Sequence, residues 1–373
     1  MKRALFLLLI GAAPAAAQGL GAGLGTTARS GVVFETYSLG SGLAFSRISE
    51  LTVPVSVFQR FGDRLTVDVS TAFASASVKT VSSGDISLSG FVDTDIRAAY
   101  TAIPGRLTLT LVGTVPTGKA TVADSVLPLF GALATDVLDF ATPSFGGGGG
   151  VTGGAATGFK LGQSWALGAA ASYHHNGSYI PVTGGGTLSP GDDIRVRIGT
   201  EGPLGGGKYF RGAFVFTASG HDTTAGGAAA FAGDRTLLYA MVSMPLGRGS
   251  LSIFGFDMLR LRARGIPTTS SGAVAIPKGN VLSLGARLDR PLSPVLTLSP
   301  HVDIRHELNG ADTTAGLTLL GYMVRPGADL RWKLSGQAAL VFQGQLAFGS
   351  LHDNGQSISL LGPKLAALVE WSR

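Results

Sequence analysis

Apolar and polar residues alternate one by one along most of the chain. Residues 64–75, RLTVDVSTAFAS, put Leu65, Val67, Val69 and Phe73 on one face and Thr66, Asp68 and Ser70 on the other. Residues 106–115 alternate Leu with Thr, and residues 191–199 set Ile194, Val196 and Ile198 against Arg195 and Arg197. Residues 281–289 set Leu282, Leu284 and Leu288 against Ser283, Arg287 and Asp289. From Leu296 the apolar face is Leu296, Leu298, Pro300, Val302 and Ile304, and the polar face runs Thr297, Ser299, His301, Asp303, Arg305 and Glu307. A period of two predicts β-strands whose two faces meet different media. One stretch resists the rule. In LSIFGFDMLRLRARG, Asp257 shares a parity with Leu259 and Leu261, while Arg260 and Arg262 share one with Phe254 and Phe256. A bulge near Asp257 would reconcile them.

The connections sort into two alternating kinds. Seven are short, at 61–63, 103–105, 161–163, 204–207, 246–249, 292–294 and 334–336. Eight are longer: about 39–48, 79–85, 118–145, 175–190, 220–233, 264–278, 309–315 and 351–356. Short turn followed by long loop predicts an all-β antiparallel meander of about sixteen strands, with both termini at the short-turn end. The weakest strands lie near 30–38 and 148–160; without them the count is fourteen. A water-soluble sandwich of this size would have exposed edges to guard. A closed transmembrane barrel has none, and a bilayer demands that closure because every backbone amide must be paired.

The N-terminus fits export. Lys2 and Arg3 precede the apolar run Ala4 to Ile10, and Ala15-Ala16-Ala17 fits a small-residue cleavage site. Residues 1–17 thus read as a signal peptide, leaving 18–373 as a single barrel domain. The apolar run is short of the ~20 residues a helical span needs. Charged residues make up 14% of the 373 and hydrophobic ones 45%, which suits a lipid-facing surface. The 56 glycines follow no collagen period. A net charge of +6 without a basic run speaks against nucleic acid. The absence of Cys excludes a disulfide scaffold and a thiolate metal site.

On this strand and loop pattern the mature chain resembles an outer-membrane porin or porin-like transporter of a Gram-negative bacterium. The resemblance implies short periplasmic turns, long outer loops, a setting of outer-membrane lipid and lipopolysaccharide, and insertion by the barrel-assembly machinery. Such barrels usually end on Phe or Trp; here Trp371 stands two residues before the end of LAALVEWSR. The resemblance leaves monomer and homo-oligomer both open. It also implies that the third long loop folds into the barrel.

A barrel of ~16 strands leaves an aqueous channel. Its inward face is expected to carry Asp68, Asp93, Asp95, Arg97, Arg195, Arg197, Arg211, Arg287, Asp289, His301, Asp303, Arg305, Arg325, Asp329, Arg331 and Lys333. A charge on the lipid side near the midplane costs ~2–4 kcal/mol, so the bilayer alone drives these groups inward. They either pair across strands or set a selectivity; Arg outnumbers Lys 21 to 8, and Arg rings favour anions. Loop 118–145, GKATVADSVLPLFGALATDVLDFATPSF, is the candidate constriction. Its Val126, Leu127, Leu129, Phe130, Leu133, Val137, Leu138, Phe140 and Phe145 would be a liability on a cell surface. They serve either as a lid inside the barrel mouth or as a greasy landing site.

Catalytic signals are weak. GTVPTGKAT at 113–121 nearly spells a P-loop, but Ala120 stands where the magnesium-binding hydroxyl belongs. Ser299 and His301 share a face but lie about 7 Å apart along a strand. His174 and His175 are neighbours and point to opposite faces of a strand. No catalytic residue, metal or cofactor is expected. The reading is a channel for passive diffusion of small solutes. The alternatives are a transporter of hydrophobic or aromatic compounds that captures them on loop 118–145, and a structural or adhesive surface barrel.

Overall fold

The computed structural model describes residues 25–373 except 83, 225–226, 230–232, 262–263, 267–273, 277–278, 310–317 and 354–355. The expected signal peptide, residues 1–17, lies outside the described residues. Among the described residues sixteen long strands form one antiparallel sheet. They are β1 (Thr26–Leu39), β2 (Phe45–Phe61), β3 (Leu65–Thr80), β4 in two segments (Ile86–Phe91 and Thr94–Ile103) and β5 (Leu107–Val115). Next come β6 (Gly150–Leu161), β7 (Trp165–Asn176), β8 (Asp193–Gly205), β9 (Lys208–Ser219), β10 (Arg235–Leu246) and β11 (Gly249–Arg260). The last five are β12 (Gly279–Pro291), β13 (Leu296–Asn309), β14 (Thr318–Lys333), β15 (Ala338–Asp353) and β16 (Gln356–Ser372). Each pairs with its successor, and β1 pairs with β16 from Thr27↔Ser372 to Leu39↔Leu360. That last pairing closes the barrel and leaves no free edge, as a bilayer requires.

The two strands with the weakest sequence signal both form. β6 has few side chains to pack, yet it pairs with β7 along its whole length and with β5 from Gly150 to Thr157. Backbone pairing inside a closed sheet does not need large side chains, because both neighbours supply its hydrogen bonds.

The alternation divides the wall as expected. Val57, Phe73, Ile96, Leu109, Leu111, Ile198, Phe214, Ile253, Leu284, Ile304 and Leu365 point out and are exposed. The intervening positions, such as Glu35, Tyr37, Glu50, Ala74, Ser283, Asp303, Arg305 and Arg325, point in and are buried. What buries them is the chain between β5 and β6. It contains a short helix, α1 (Leu127–Leu133), with Pro128 in its first turn. This segment packs inside the barrel. Leu129, Leu133, Val137, Leu138, Phe140 and Phe145 join Tyr37, Ile48, Ala74, Val78, Met323, Ala347, Ile358 and Leu360 in one apolar cluster.

The wall is interrupted where this segment leaves it. β3 pairs Phe73 with Phe91 but Ser70 with Asp95, so three steps on β3 face four on β4. The extra residue at Val92–Asp93 is a bulge, which re-aims a side chain.

The stretch around Asp257 contains no bulge, contrary to the sequence reading. β11 pairs with β10 and β12 without a register shift. Phe256, Met258 and Arg260 share the inward face, and the guanidinium of Arg305 lies 5.5 Å from the Phe256 ring centre. Asp257 points outward near the outer end, where it accepts a hydrogen bond of 3.1 Å from Asn280. The inward face at this level is partly aromatic, so polarity alone did not set the parity and no bulge is needed.

Candidate functional site: the inward segment and its anchors

The segment between β5 and β6 starts from a narrow neck. The carboxylate of Asp93, in the β4 bulge, accepts the amide N–H of Gly118 at 3.1 Å and that of Gly147 at 2.9 Å. Thr117 also donates to the carbonyl of Val92 at 2.9 Å. The two limbs of the segment cross so closely that a Cβ on Gly118 would lie 1.9 Å from the Phe145 carbonyl oxygen. Only glycine fits there. The near P-loop at 113–121 is therefore part of this neck, and its Gly118 amide serves an internal carboxylate.

Beyond the neck, apolar packing presses the segment against β1–β3 and β14–β16. Leu129, Leu133, Val137, Leu138, Phe140 and Phe145 are buried, while Val126 and Phe130 are partly buried against the same cluster. Leu127 is half-buried at the start of α1. Polar contacts then fix the register of this contact. Tyr37 donates its hydroxyl to the Leu138 carbonyl at 3.2 Å. Glu50 accepts the Thr142 amide at 2.9 Å and the Thr52 hydroxyl at 2.5 Å. Glu35 stands opposite both Glu50 and Lys364, and the Lys364 ammonium reaches it at 2.9 Å.

On the other side the anchors are ionic. Asp136 and Asp139 project from the segment onto three wall arginines. Arg260 bridges Asp136 and, at 2.8 Å, Glu307. Arg305 holds Asp139 at 2.9 Å, and Arg325 holds Asp139 at 3.3 Å and Asp303 at 2.8 Å. Glu307 also accepts the Val137 amide at 3.1 Å. Asp139 has φ 56°, a left-handed conformation that Asp tolerates better than most residues. Burial by itself would raise the Asp139 carboxyl, but the Arg305 and Arg325 guanidiniums outweigh it and hold it at about 2.

The remaining expected inward residues are placed as follows. Asp68 lies 3.8 Å from Arg97, and Asp95 accepts the Thr114 hydroxyl at 2.6 Å. Asp93 and Asp95 line a small open cleft between the bulge and residues 141–146 of the segment. Arg211 bridges Glu201 at 2.8 Å. Arg287 bridges Asp289 at 2.8 Å and Asp329 at 2.5 Å. Ser299 donates to Asp289 at 2.6 Å, and the His301 ring lies 2.7 Å from the Gln345 amide. The Ser299 hydroxyl and the His301 ring do not bond each other, and the ring Nδ1 lies 3.2 Å from the Ser299 backbone carbonyl oxygen. Arg331 bridges Glu370 at 3.1 Å near the short-turn end, and Lys333 is exposed at the end of β14. Arg195 and Arg197 stand on β8. At the outer end His174 contacts Thr152, and His175 lies 3.0 Å from Asp192.

Five acids and bases that carry the anchoring were not singled out in the sequence: Glu35, Glu50, Asp136, Asp139 and Lys364. Glu307 was placed on the polar face with Arg305, but its role as an anchor was not anticipated. Asp136 and Asp139 carried a signal too, as the two carboxylates within an otherwise apolar run from 126 to 140.

The arc of β5–β7 is furnished differently. Between Lys160 at one end and His174 at the other, its inward positions are small: Thr108, Thr110 and Val112 on β5, Thr152, Gly154 and Ala156 on β6, and Gly168, Ala170 and Ser172 on β7. Gly154 is so close to its neighbours that a Cβ would meet Ser172 and Thr110 at 2.9 Å. The inward segment thus fills one side of the barrel, and the opposite wall carries little bulk.

A closed antiparallel barrel with an apolar outer face, short turns at one end and long loops at the other is an outer-membrane β-barrel of porin-like architecture. No protein-family model and no curated protein matches the chain. Among solved structures it is similar to OpdL of Pseudomonas aeruginosa, with 13% identity, 94% of this chain and 98% of that chain covered, and a TM-score of 0.45. It is similar to OccK5 (OpdH) of the same organism at 12% identity, 93% and 98% coverage and a TM-score of 0.45. A third is TodX, described as a monoaromatic hydrocarbon channel, at 11% identity, 96% and 92% coverage and a TM-score of 0.44.

Proposed function

We propose that the protein is an outer-membrane channel for passive diffusion of small solutes, with residues 118–145 as its constriction. One observation carries this reading. The inward segment is fastened to β1–β4, β11 and β13–β16, and at Thr121 and Val122 to the β7–β8 loop, while most inward side chains of β5–β7 are small and Arg197 on β8 stays exposed. On this reading solutes pass along that arc, beside the segment. We further propose that residues 1–17 direct export and that the barrel-assembly machinery inserts the mature chain.

The capture of hydrophobic or aromatic compounds on this segment is less well supported. Its large apolar side chains are spent on the wall, with Leu129, Leu133, Val137, Leu138 and Phe145 each at most 1% exposed. Few remain to meet a ligand.

Single-channel conductance of the refolded protein in a planar bilayer, with and without residues 122–142, tests the proposal. A steady ohmic conductance that the deletion enlarges supports the channel. Silence that the deletion converts to conductance points to a lid and reopens the capture reading. Silence in both forms sinks the channel and leaves a structural barrel.

A further inference from the structure

Most inward arginines have an acid. Arg97, Arg211, Arg260, Arg287, Arg305, Arg325 and Arg331 each lie within 4.0 Å of a carboxylate. Three do not. Among the described residues no carboxylate comes within salt-bridge distance of Arg195, Arg197 or Arg235, and the buried Nε of Arg195 has no hydrogen-bond partner.

Register brings these three together. Arg195 on β8 and Arg235 on β10 both stand opposite Thr217 on β9. Arg197 follows two positions along on the same face as Arg195. Neighbouring strands are ~4.8 Å apart, so Arg195 and Arg235 rise from points ~10 Å apart with the Thr217 hydroxyl between them. Arg235 is opposite Arg260, whose own charge is taken up by Asp136 and Glu307. Neither Asp193 on β8 nor Asp136 of the segment bridges Arg235. The cost of facing lipid explains why these arginines point inward. It does not explain why they lack the acids that accompany the other seven.

We propose that Arg195, Arg197 and Arg235, with Thr217, form a binding station for a small oxyanion, a carboxylate or a phosphate, on the open side of the barrel. The planar guanidinium fork matches two oxygens of such a group, and charge-assisted hydrogen bonds in a partly dry site are strong. Lipid headgroups are not the source, because the station faces the lumen. The station rests on the channel reading for its role and names the class of solute that channel would favour.

The test uses the full mature chain refolded in micelles and in planar bilayers, as wild type, as the double variant R195Q/R235Q and as R331Q. The last removes a charge from the inward face far from the station. The probes are inorganic phosphate, followed by phosphorus NMR line width, and acetate, followed by carbon NMR. Saturable binding that weakens about tenfold or more in the double variant and persists in R331Q is expected. Saturation by one probe alone assigns the station to that oxyanion. The reversal potential in a potassium chloride gradient is expected to show chloride preference that the double variant loses. Binding that is absent, or equal in wild type and double variant, overturns the station. These titrations need no conduction, so silent bilayers would overturn the channel reading while the titrations still judge the station.

Discussion

Asp139 of the inward segment lies 2.9 Å from Arg305 and 3.3 Å from Arg325, two strands' worth of wall held by one carboxylate. All three side chains are largely dry. Removing one partner of a buried pair leaves an uncompensated charge and typically costs about 3–5 kcal/mol. Asp139→Ala is therefore expected to free the segment while the sheet, which does not depend on it, stays closed. Chymotrypsin should then cut within residues 126–140, with the barrel core remaining resistant. Equal protection of the variant and the wild type would show that apolar packing alone holds the segment.

The same carboxyl sets an acid limit. Its pKa is lowered to about 2, against an ordinary value of about 3.9. A lowered acid contributes stability that is complete above the ordinary pKa and is lost as pH falls through the folded one. The contribution is about 2 kcal/mol. The segment should stay seated at pH 5 and loosen between about pH 4 and pH 2. Channel noise recorded across that window checks this, and Asp139→Asn should remove most of the dependence. A change centred near pH 7 would point to another group.

Gly118→Val tests the neck. Its Cβ would fall on the Phe145 carbonyl oxygen, which belongs to the backbone and cannot rotate away. The two limbs should separate and the segment should lose its seat, giving larger conductance than wild type from a barrel of normal heat stability. Unchanged conductance with normal folding would mean that the neck can widen without unseating the segment.

Leu111 and Thr110 are adjacent on β5 and face opposite ways, Leu111 outward at 57% exposure. Leu111→Arg should destabilise the barrel in liposomes by about 2–4 kcal/mol if it lies near the midplane. Thr110→Arg should cost far less, since a lumen position keeps the charge in water. Denaturant unfolding of both variants reads the difference directly. Equal costs would contradict the assignment of faces.

Much of the barrel was legible in the chain, for a local reason. A strand's side chains alternate with a period of two, and lipid penalises each outward charge independently of distant neighbours. So Arg195 against Ile194, or Asp303 against Ile304, assigned their faces without knowledge of their partners. The rule failed at Asp257, where Phe256 shares the inward face with Arg260 and the polar residue is the outward one. There the deciding contact, Arg305 over Phe256, joins residues on two strands that are not neighbours in the sheet.

From its sequence alone this protein's strand count, its alternating turns and loops, and the lipid or lumen side of most residues were determined, because each depends on a few successive residues. The tertiary structure alone decided where the long segment lies and what holds it there. Asp139 meets Arg325 from 186 positions away, and Val137 meets Glu307 from 170. Such pairs require the closed wall, in which β1 pairs with β16 and distant strands stand around one inward segment. No periodicity encodes a contact made across the inside of a barrel. It follows from closure, from the volume the segment must fill, and from the charges left on the wall to receive it.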